Sequence, residues 1–342
     1  MASAKITDVA RVAGVSTATV SRALNRPDTV AEDTRQAVME AAARTGYRIN
    51  FTAQNLRRGR TGAAMVLVPN LGNPFFSEIL SGIEATLAKS GLSVLVADTR
   101  HPDVPASLLV DYLSSGRADG IISLDGSLPD TLVLPGDSGG TRALPPLIYA
   151  CEWNETASLP GVRVDNRAGA AQAIAHLAGL GHVRIGHILG PRDNVLTGER
   201  MNGAIGELEA RGLVVNPDWF LQADFSIAGG LRAAKTWLAM EHRPTAMFCA
   251  SDELAFGFIS GLHEAGIRVP QDVSVVGFDD IETARFYIPP LTTIRQPRSD
   301  LGAAAADLLL RLLEHPGTAP SSGIETLPVD LIVRASTAAP AA

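Results

Sequence analysis

The chain has 342 residues, 46% of them hydrophobic and 19% charged, with 29 Lys and Arg against 36 Asp and Glu. Its length exceeds one ordinary domain, and its apolar content matches globular cores, which excludes a largely disordered chain. There is no run of about 18 apolar residues to mark a membrane span and no basic-then-apolar leader, so a cytoplasmic protein is expected.

Residues 1–60 carry ten basic and five acidic side chains, a net +5, whereas the remainder holds 19 basic and 31 acidic, a net −12. A basic head on an acidic body fits one part that meets phosphates and another that does not. Within the head, Ile6, Val9, Ala10 and Ala13 repeat with the period of one helix face. Thr7 is the expected N-cap, with Asp8 in the first turn, and Gly14 marks the stop. Ser16 caps a second helix whose inward face is Val20, Ala23 and Leu24, leaving Thr17, Ala18, Ser21 and Arg22 outward. Two short helices about a glycine turn make a helix-turn-helix, whose second helix enters the DNA major groove. A helical hairpin in an ordinary core has the same spacing; the charge favours DNA. A third helix over about 32–45 buries Val38, Ala41 and Ala42. The basic stretch 50–60 then holds one apolar residue, Leu56, beside Arg57 and Arg58. Minor-groove binders drive such a wedge between base steps, although a flexible linker with a stray leucine has the same composition.

The head resembles that of the LacI/GalR family of bacterial transcription regulators. The resemblance rests on Ile-Thr-Asp-Val-Ala, Ala-Gly-Val-Ser, Thr-Val-Ser-Arg-Ala-Leu-Asn, Thr-Arg and Gly-Tyr-Arg, in order and in spacing. It implies groove-reading contacts at Thr17, Ala18 and Arg22 and a minor-groove lever at Leu56. The full expected DNA-facing set is Thr7, Ser16, Thr17, Ala18, Thr19, Ser21, Arg22, Asn25, Leu56 and Arg57. Two residues depart from the family pattern: Ala31 stands where serine is usual, and Ile49 where proline is usual.

From Gly62 onward, short β-rich runs alternate with helices. Strands are expected at 64–69, 93–98, 120–124 and 147–151, with helices at 75–90 and 104–114. A second set has strands at 184–189, 246–250 and 273–278, a further candidate at 219–222, and helices at 167–180, 199–211, 228–239 and 253–265. A strand at 292–296, a helix at 300–313 and a strand at 329–333 finish the chain. Such alternation means parallel sheets covered on both faces, and two sets imply two lobes with a cleft at the strands' carboxyl ends. Cys151 and Cys249 fall in separate apolar segments, as reduced core residues would.

The resemblance continues through the body, at Val164-Asp-Asn-Arg-Ala-Gly, Gly181-His-Val-Arg-Ile-Gly, Ser251-Asp-Glu-Leu-Ala-Phe-Gly and Val273-Ser-Val-Val-Gly-Phe-Asp-Asp-Ile. It implies a two-lobed α/β periplasmic-binding-protein-like body behind the all-α head, with lobe crossings near Ala150, Phe278 and Thr293. The expected division is a DNA-binding domain at 1–48, a hinge at 49–61 and an effector and dimerisation domain at 62–342. Its first lobe takes 62–150 and 281–295, its second 151–280 and 296–335. The tail shows no leucine heptad, so a homodimer is expected. The expected partners are double-stranded operator DNA and a small-molecule effector, with no membrane.

A polyhydroxylated effector needs carboxylates and an arginine for its hydroxyls and an aromatic face for its ring. Phe75 or Phe76, after the first strand, offers one wall. Asp252 and Asp279 each follow a strand, where a helix cap or turn residue is as natural a reading as a ligand contact. The resemblance makes both effector contacts, together with Arg200, and puts Phe225 on the opposite wall. Asn73-Pro-Phe-Phe-Ser-Glu, Leu144-Pro-Pro, Glu152 with its following aromatic, Leu159-Pro and Ala223-Asp-Phe are similar to the cytidine repressor subgroup. A nucleoside such as cytidine is therefore expected first, a pentose or other sugar second.

Gly136-Asp-Ser-Gly-Gly140 imitates a serine-hydrolase string, but Pro135 precedes it and no helix pattern follows, so it reads as a loop. No catalytic constellation, metal-ligand spacing or dinucleotide or P-loop motif occurs, so no enzyme, metal or cofactor is expected. An α/β enzyme would need the missing constellation. A solute-binding protein would not need the basic head.

Overall fold

The computed structural model describes residues 4–25, 27–47, 60–100, 116–128, 145–156, 159–315 and 323–341. The chain divides into two compact units, residues 1–60 and 61–342.

In the first unit, helices α1 (Ile6–Ala13), α2 (Thr17–Asn25) and α3 (Glu32–Thr45) enclose Val9, Val20, Val38 and Ala41, all with no exposed surface. The N-cap of α1 is Lys5 rather than the expected Thr7. The Asp8 carboxylate reaches back one turn and accepts the Lys5 backbone N–H at 3.0 Å, and Thr7 stands exposed in the first turn. Gly14, at φ +67°, ends α1 in the left-handed region where a side chain would be strained. Ser16 Oγ accepts the Thr19 N–H at 3.1 Å and so starts α2. Ala31 begins α3 with no side-chain bond to a backbone amide.

The second unit holds two six-stranded sheets. The first runs β2 (Ser93–Asp98), β1 (Ala63–Val68), β3 (Gly120–Ser123), β4 (Leu147–Ala150), β5 (Gly161–Val164), β11 (Ile324–Leu327), all parallel. The second repeats that order as β7 (Phe220–Leu221), β6 (Ile185–Ile188), β8 (Ala246–Cys249), β9 (Ser274–Asp279), β10 (Thr292–Arg295), β12 (Asp330–Ile332), with only β12 antiparallel. All six residues of β1 and of β9 are buried, as parallel strands covered on both faces must be.

Helices α4 (Phe75–Lys89) and α9 (Arg298–Glu314) pack on the first sheet, and α5 (Asn166–Gly179), α6 (Val195–Ala210), α7 (Ile227–Ala239) and α8 (Asp252–Glu264) accompany the second. The α4 and α9 backbones nearly touch. A Cβ on Gly82 would lie 2.1 Å from the Ser299 carbonyl, and one on Gly302 2.1 Å from that of Ile79.

The lobe boundaries differ from the expected ones. Strand β5 pairs with β4 (Tyr149 against Gly161) and extends the first lobe to Val164. Strand β10 pairs with β9, which puts 292–295 in the second lobe, while α9 packs on α4 and the first sheet. The crossings therefore fall at 164–166, 295–298 and 327–330 rather than near Ala150, Phe278 and Thr293. Both sheets draw on the same kind of short apolar run, so pairing, not composition, decides which sheet a segment joins. Strand β11 escapes the sequence reading because it is an edge strand with three exposed residues out of four. Helix α6 starts four residues before expectation, since Asn194 Oδ1 accepts the Leu196 N–H at 2.9 Å and caps it. The expected helix at 104–114 and the loop at 136–140 lie outside the described residues. Among the described residues, no helix is long and apolar enough to cross a membrane.

Replacing Ala31 by serine should supply the missing cap of α3, worth about 1 kcal/mol. Amide exchange of the α3 backbone in the full chain should slow by about fivefold; an unchanged rate would count against the cap.

Candidate functional site

In the head, α2 buries Val20 and Ala23 and leaves Thr17, Ala18 and Arg22 exposed, with Ser21 half-buried. Ser16 and Thr19 hydroxyls lie 2.9 Å apart at the start of the helix. The Arg22 Nε donates to the Ala18 carbonyl at 3.4 Å, holding the side chain along the outward face. The N-terminal half of α2 is thus a short, small-residue surface followed by one arginine, a shape that fits against base edges. Asn25 closes α2. Leu56 and Arg57 lie outside the described residues.

In the body, the carboxyl ends of the two sheets face one another across a cleft. One cavity of about 480 Å³ is bordered by Asn70, Asn73 and Phe76 after β1, Asp98 and Arg100 at the end of β2, Glu152 after β4, and Asp224 and Phe225 after β7. A smaller pocket of about 40 Å³ is bordered by Asn73, Phe75, Phe76, Cys151, Glu152, Leu196, Arg200, Phe225, Ser251 and Asp279. Phe76 and Phe225 border both. Phe75 packs edge-on against Phe76 at 5.1 Å; both rings belong to the core of the body, both border the smaller pocket, and Phe76 borders the larger one as well.

Arg200, 2% exposed, is the cation of the inner pocket. Its Nε donates to Asn166 Oδ1 at 2.9 Å and its Nη1 to the Ala250 carbonyl, while its guanidinium lies 3.8 Å over the Phe278 ring and 3.9 Å from the Asp279 carboxylate. Asp279 also accepts from Gln296 Nε2 at 2.7 Å. The residue sits at φ +126°, a strained conformation for a side chain with a Cβ. Burial pushes the Asp279 carboxyl up to about 6, against the opposing pull of Arg200 and Arg298.

Asp252 is where the sequence expectation fails. It is fully buried and does not border the cleft. One oxygen accepts the Ile281 N–H at 2.9 Å and the other the Thr293 hydroxyl, so its carboxyl ties α8 to β10 and to the turn after β9. A Cβ on Gly277 would come within 2.2 Å of it. Burial, and after it the neighbouring Asp279, pushes Asp252 well above the ordinary carboxylate value. It is the turn-bracing member of the pair.

The sequence reading missed a polar cluster on the first lobe. Arg100 binds Asp125 with Nη2 at 2.8 Å and Nε at 3.3 Å, and reaches Glu152 at 3.5 Å. Glu152 is 6% exposed; burial, and after it the neighbouring Asp125, raises its carboxyl, while the Asn194 side chain facing it from the opposite lobe, Arg100 and the Gly126 N–H at 3.2 Å oppose the rise. Glu152 carried the signal of the subgroup resemblance; for Arg100 and Asp125 the one available signal was position, two residues past the end of a strand. Among the described residues, no group of His, Cys, Asp and Glu is arranged to hold a metal ion.

Residues 5–50 match the family described as bacterial regulatory proteins, lacI family, and residues 174–337 match the periplasmic binding protein-like domain. The HTH-type transcriptional repressor CytR of Escherichia coli is 38% identical, over 98% of this chain and 97% of its own. The structure of the lac repressor dimer bound to operator and the anti-inducer ONPF superposes with a TM-score of 0.80 at 29% identity, covering 98% of this chain and 100% of that one. A LacI family regulator from Enterococcus faecium with bound ribose superposes with a TM-score of 0.71 at 29% identity, over 81% and 99%.

Asp252→Ala should leave the Ile281 amide and the Thr293 hydroxyl unpaired in the interior and cost about 3 kcal/mol of unfolding free energy in a denaturant titration. A cost below about 0.5 kcal/mol would remove the bracing role. Asp279 binds a proton more readily folded than unfolded, so it contributes an increasing penalty as pH climbs from about 4 through about 6. Asp279→Asn should accordingly gain stability relative to the native chain over that interval, read as a rising difference in melting temperature. A difference that is flat with pH would contradict the assignment.

Proposed function

Because the chain belongs to the LacI family of bacterial regulatory proteins, it is a DNA-binding transcriptional repressor controlled by a small-molecule effector, and we propose that this effector is a nucleoside, cytidine first. It is not an enzyme: its relatives are repressors. The observation that carries the nucleoside reading is the pairing of aromatic walls with a buried ionic floor. Phe76 from one lobe and Phe225 from the other border both cavities, which suits a planar base, and Arg200 and Asp279 border the inner one, which suits ribose hydroxyls. The outer of these two, about 480 Å³, is of small-ligand size. The similarity to the cytidine repressor subgroup points the same way. A pentose alone is the second reading, favoured by the ribose held in the Enterococcus faecium structure and by the same arginine and aspartate.

The division we adopt is a DNA-binding domain at 1–48, a hinge at 49–61 and an effector domain from 62, with lobe membership as corrected above. The protein acts in the cytoplasm as a homodimer on a two-fold operator, as the lac repressor dimer is bound to its own. Thr17, Ala18 and Arg22 read the major groove, the short residues through thymine methyls and Arg22 through a guanine edge, with Thr7, Ser16, Thr19, Ser21 and Asn25 around them and Leu56 and Arg57 at the minor groove. Effector shifts operator affinity only so far as it binds the two states of the dimer unequally.

Thermal unfolding against nucleosides, pentoses and hexoses tests the effector. A ligand at about 100 times its dissociation constant adds about 2.7 kcal/mol. Cytidine should shift the melting temperature; a shift with ribose alone would replace the nucleoside reading by the pentose one. Arg22→Ala should weaken operator binding by about 1–3 kcal/mol and relax the sequence preference at one base pair, and Leu56→Ala should weaken it while sparing effector affinity. Full operator affinity in both variants would sink the DNA assignments.

A further inference from the structure

We propose that Glu152 reads the base of the effector as a hydrogen-bond acceptor for an exocyclic amino group, so that the cleft selects a 4-aminopyrimidine nucleoside over its 4-oxo counterpart. The inference rests on the nucleoside reading of the cleft and adds the residue that decides which base is taken.

Glu152 borders both larger cavities, of about 510 and 480 Å³, and the inner pocket of about 40 Å³ that holds Arg200 and Asp279. A ligand lying between the lobes therefore meets it from whichever side it enters. Cys151, at φ +70°, turns the chain just before it, so this carboxyl lies at the carboxyl end of β4, next to the wall residue Phe76.

The groups around Glu152 are donors. The Gly126 N–H lies 3.2 Å from Oε2 and the Arg100 guanidinium 3.5 Å from the same oxygen. Asn194, whose own Oδ1 takes the Leu196 amide, faces the carboxyl from the opposite lobe with its NH2 left to donate. Donors on both lobes thus orient the carboxyl as an acceptor.

Its charge is nevertheless under-compensated. Arg100 makes its shorter bonds to Asp125, at 2.8 Å and 3.3 Å, and Asp125 also takes the Ser127 N–H at 2.9 Å and the Ser127 hydroxyl at 2.6 Å. One arginine thus serves two buried carboxyls and mainly the other one. A buried carboxylate with a weak share of its counter-charge is stabilised by one more donor. The exocyclic amino group of cytosine supplies it. The 4-oxo group of uracil presents an acceptor to an acceptor, and a buried mismatch of that kind is heavily rejected.

Titration calorimetry of the full chain with cytidine and with uridine tests this. The native chain should prefer cytidine by at least about tenfold. In Glu152→Gln, nearly the same shape, the amide nitrogen can donate to the 4-oxo group, so cytidine should weaken, uridine should strengthen, and the preference should fall within about threefold. Glu152→Ala, the second variant, should weaken cytidine without strengthening uridine; melting curves verify that both are folded. A tenfold preference surviving in Glu152→Gln, or native binding indifferent to the base, would overturn the role of Glu152 while leaving the nucleoside reading in place. Binding of ribose with neither nucleoside would overturn that reading, and this inference with it.

Discussion

The burial of charge between the two lobes is the constraint on which the body depends. Arg200, Asp252 and Asp279 are each less than a tenth exposed, and an unpaired charge at such depth would cost several kcal/mol. The fold meets that cost with geometry. Arg200 is held by Asn166, the Ala250 carbonyl and the Phe278 face, and Asp252 spends both oxygens on the turn and strand beside it. What remains unmet is the pairing of Asp279, 3.9 Å from Arg200, and of Glu152, which shares one arginine with Asp125. A ligand with hydroxyl and amino groups completes what the protein leaves partial, and therein lies the free energy of recognition.

The strands deliver these groups to one place because the sheets are parallel. Every strand but β12 then ends on the same side, and two sheets set end to end across a cleft bring Asn73, Arg100, Glu152, Arg200, Phe225 and Asp279 together from distant segments of the chain. Between the lobes, Arg298 at the start of α9 donates to the Phe75 carbonyl of the first lobe and to the Asp280 carbonyl of the second, and pairs with Glu78 at 3.1 Å. It is 4% exposed. Phe75 and Asp280, the residue next to the floor residue Asp279, are thus tied to one side chain at a crossing point, so a shift of one lobe is felt on both sides of the cleft.

The head obeys a different economy. Its core is six small or medium residues, Val9, Ala10, Val20, Ala23, Val38 and Ala41, and its helices depend on their ends: Asp8 on the Lys5 amide, Ser16 on the Thr19 amide, glycines at both C-caps, and an uncapped start at Ala31. With so little apolar surface to bury, each cap is a sizeable share of its stability. The exposed residues of α2, Thr17, Ala18 and Arg22, contribute nothing to that core.

The sequence by itself determined what short-range chemistry controls. Helical periodicity and caps set α1, α2 and α3, the uneven charge separated head from body, and alternating apolar runs set most strands and the two-sheet class. Arg200, Phe225 and Asp279 were legible at the cleft through the family resemblance, and Phe76 through its place after the first strand. The tertiary structure alone decided which sheet each late segment joins, because β5, β10 and β11 carry no local mark of their partner. It also separated the two aspartates, since Asp252 and Asp279 both follow a strand and differ only in what surrounds them. Glu152 was marked in the sequence only by the subgroup resemblance and Arg100 not at all; what they do became visible only once the strand ends met, because a carboxylate's role is set by the donors around it, and those come from distant parts of the chain.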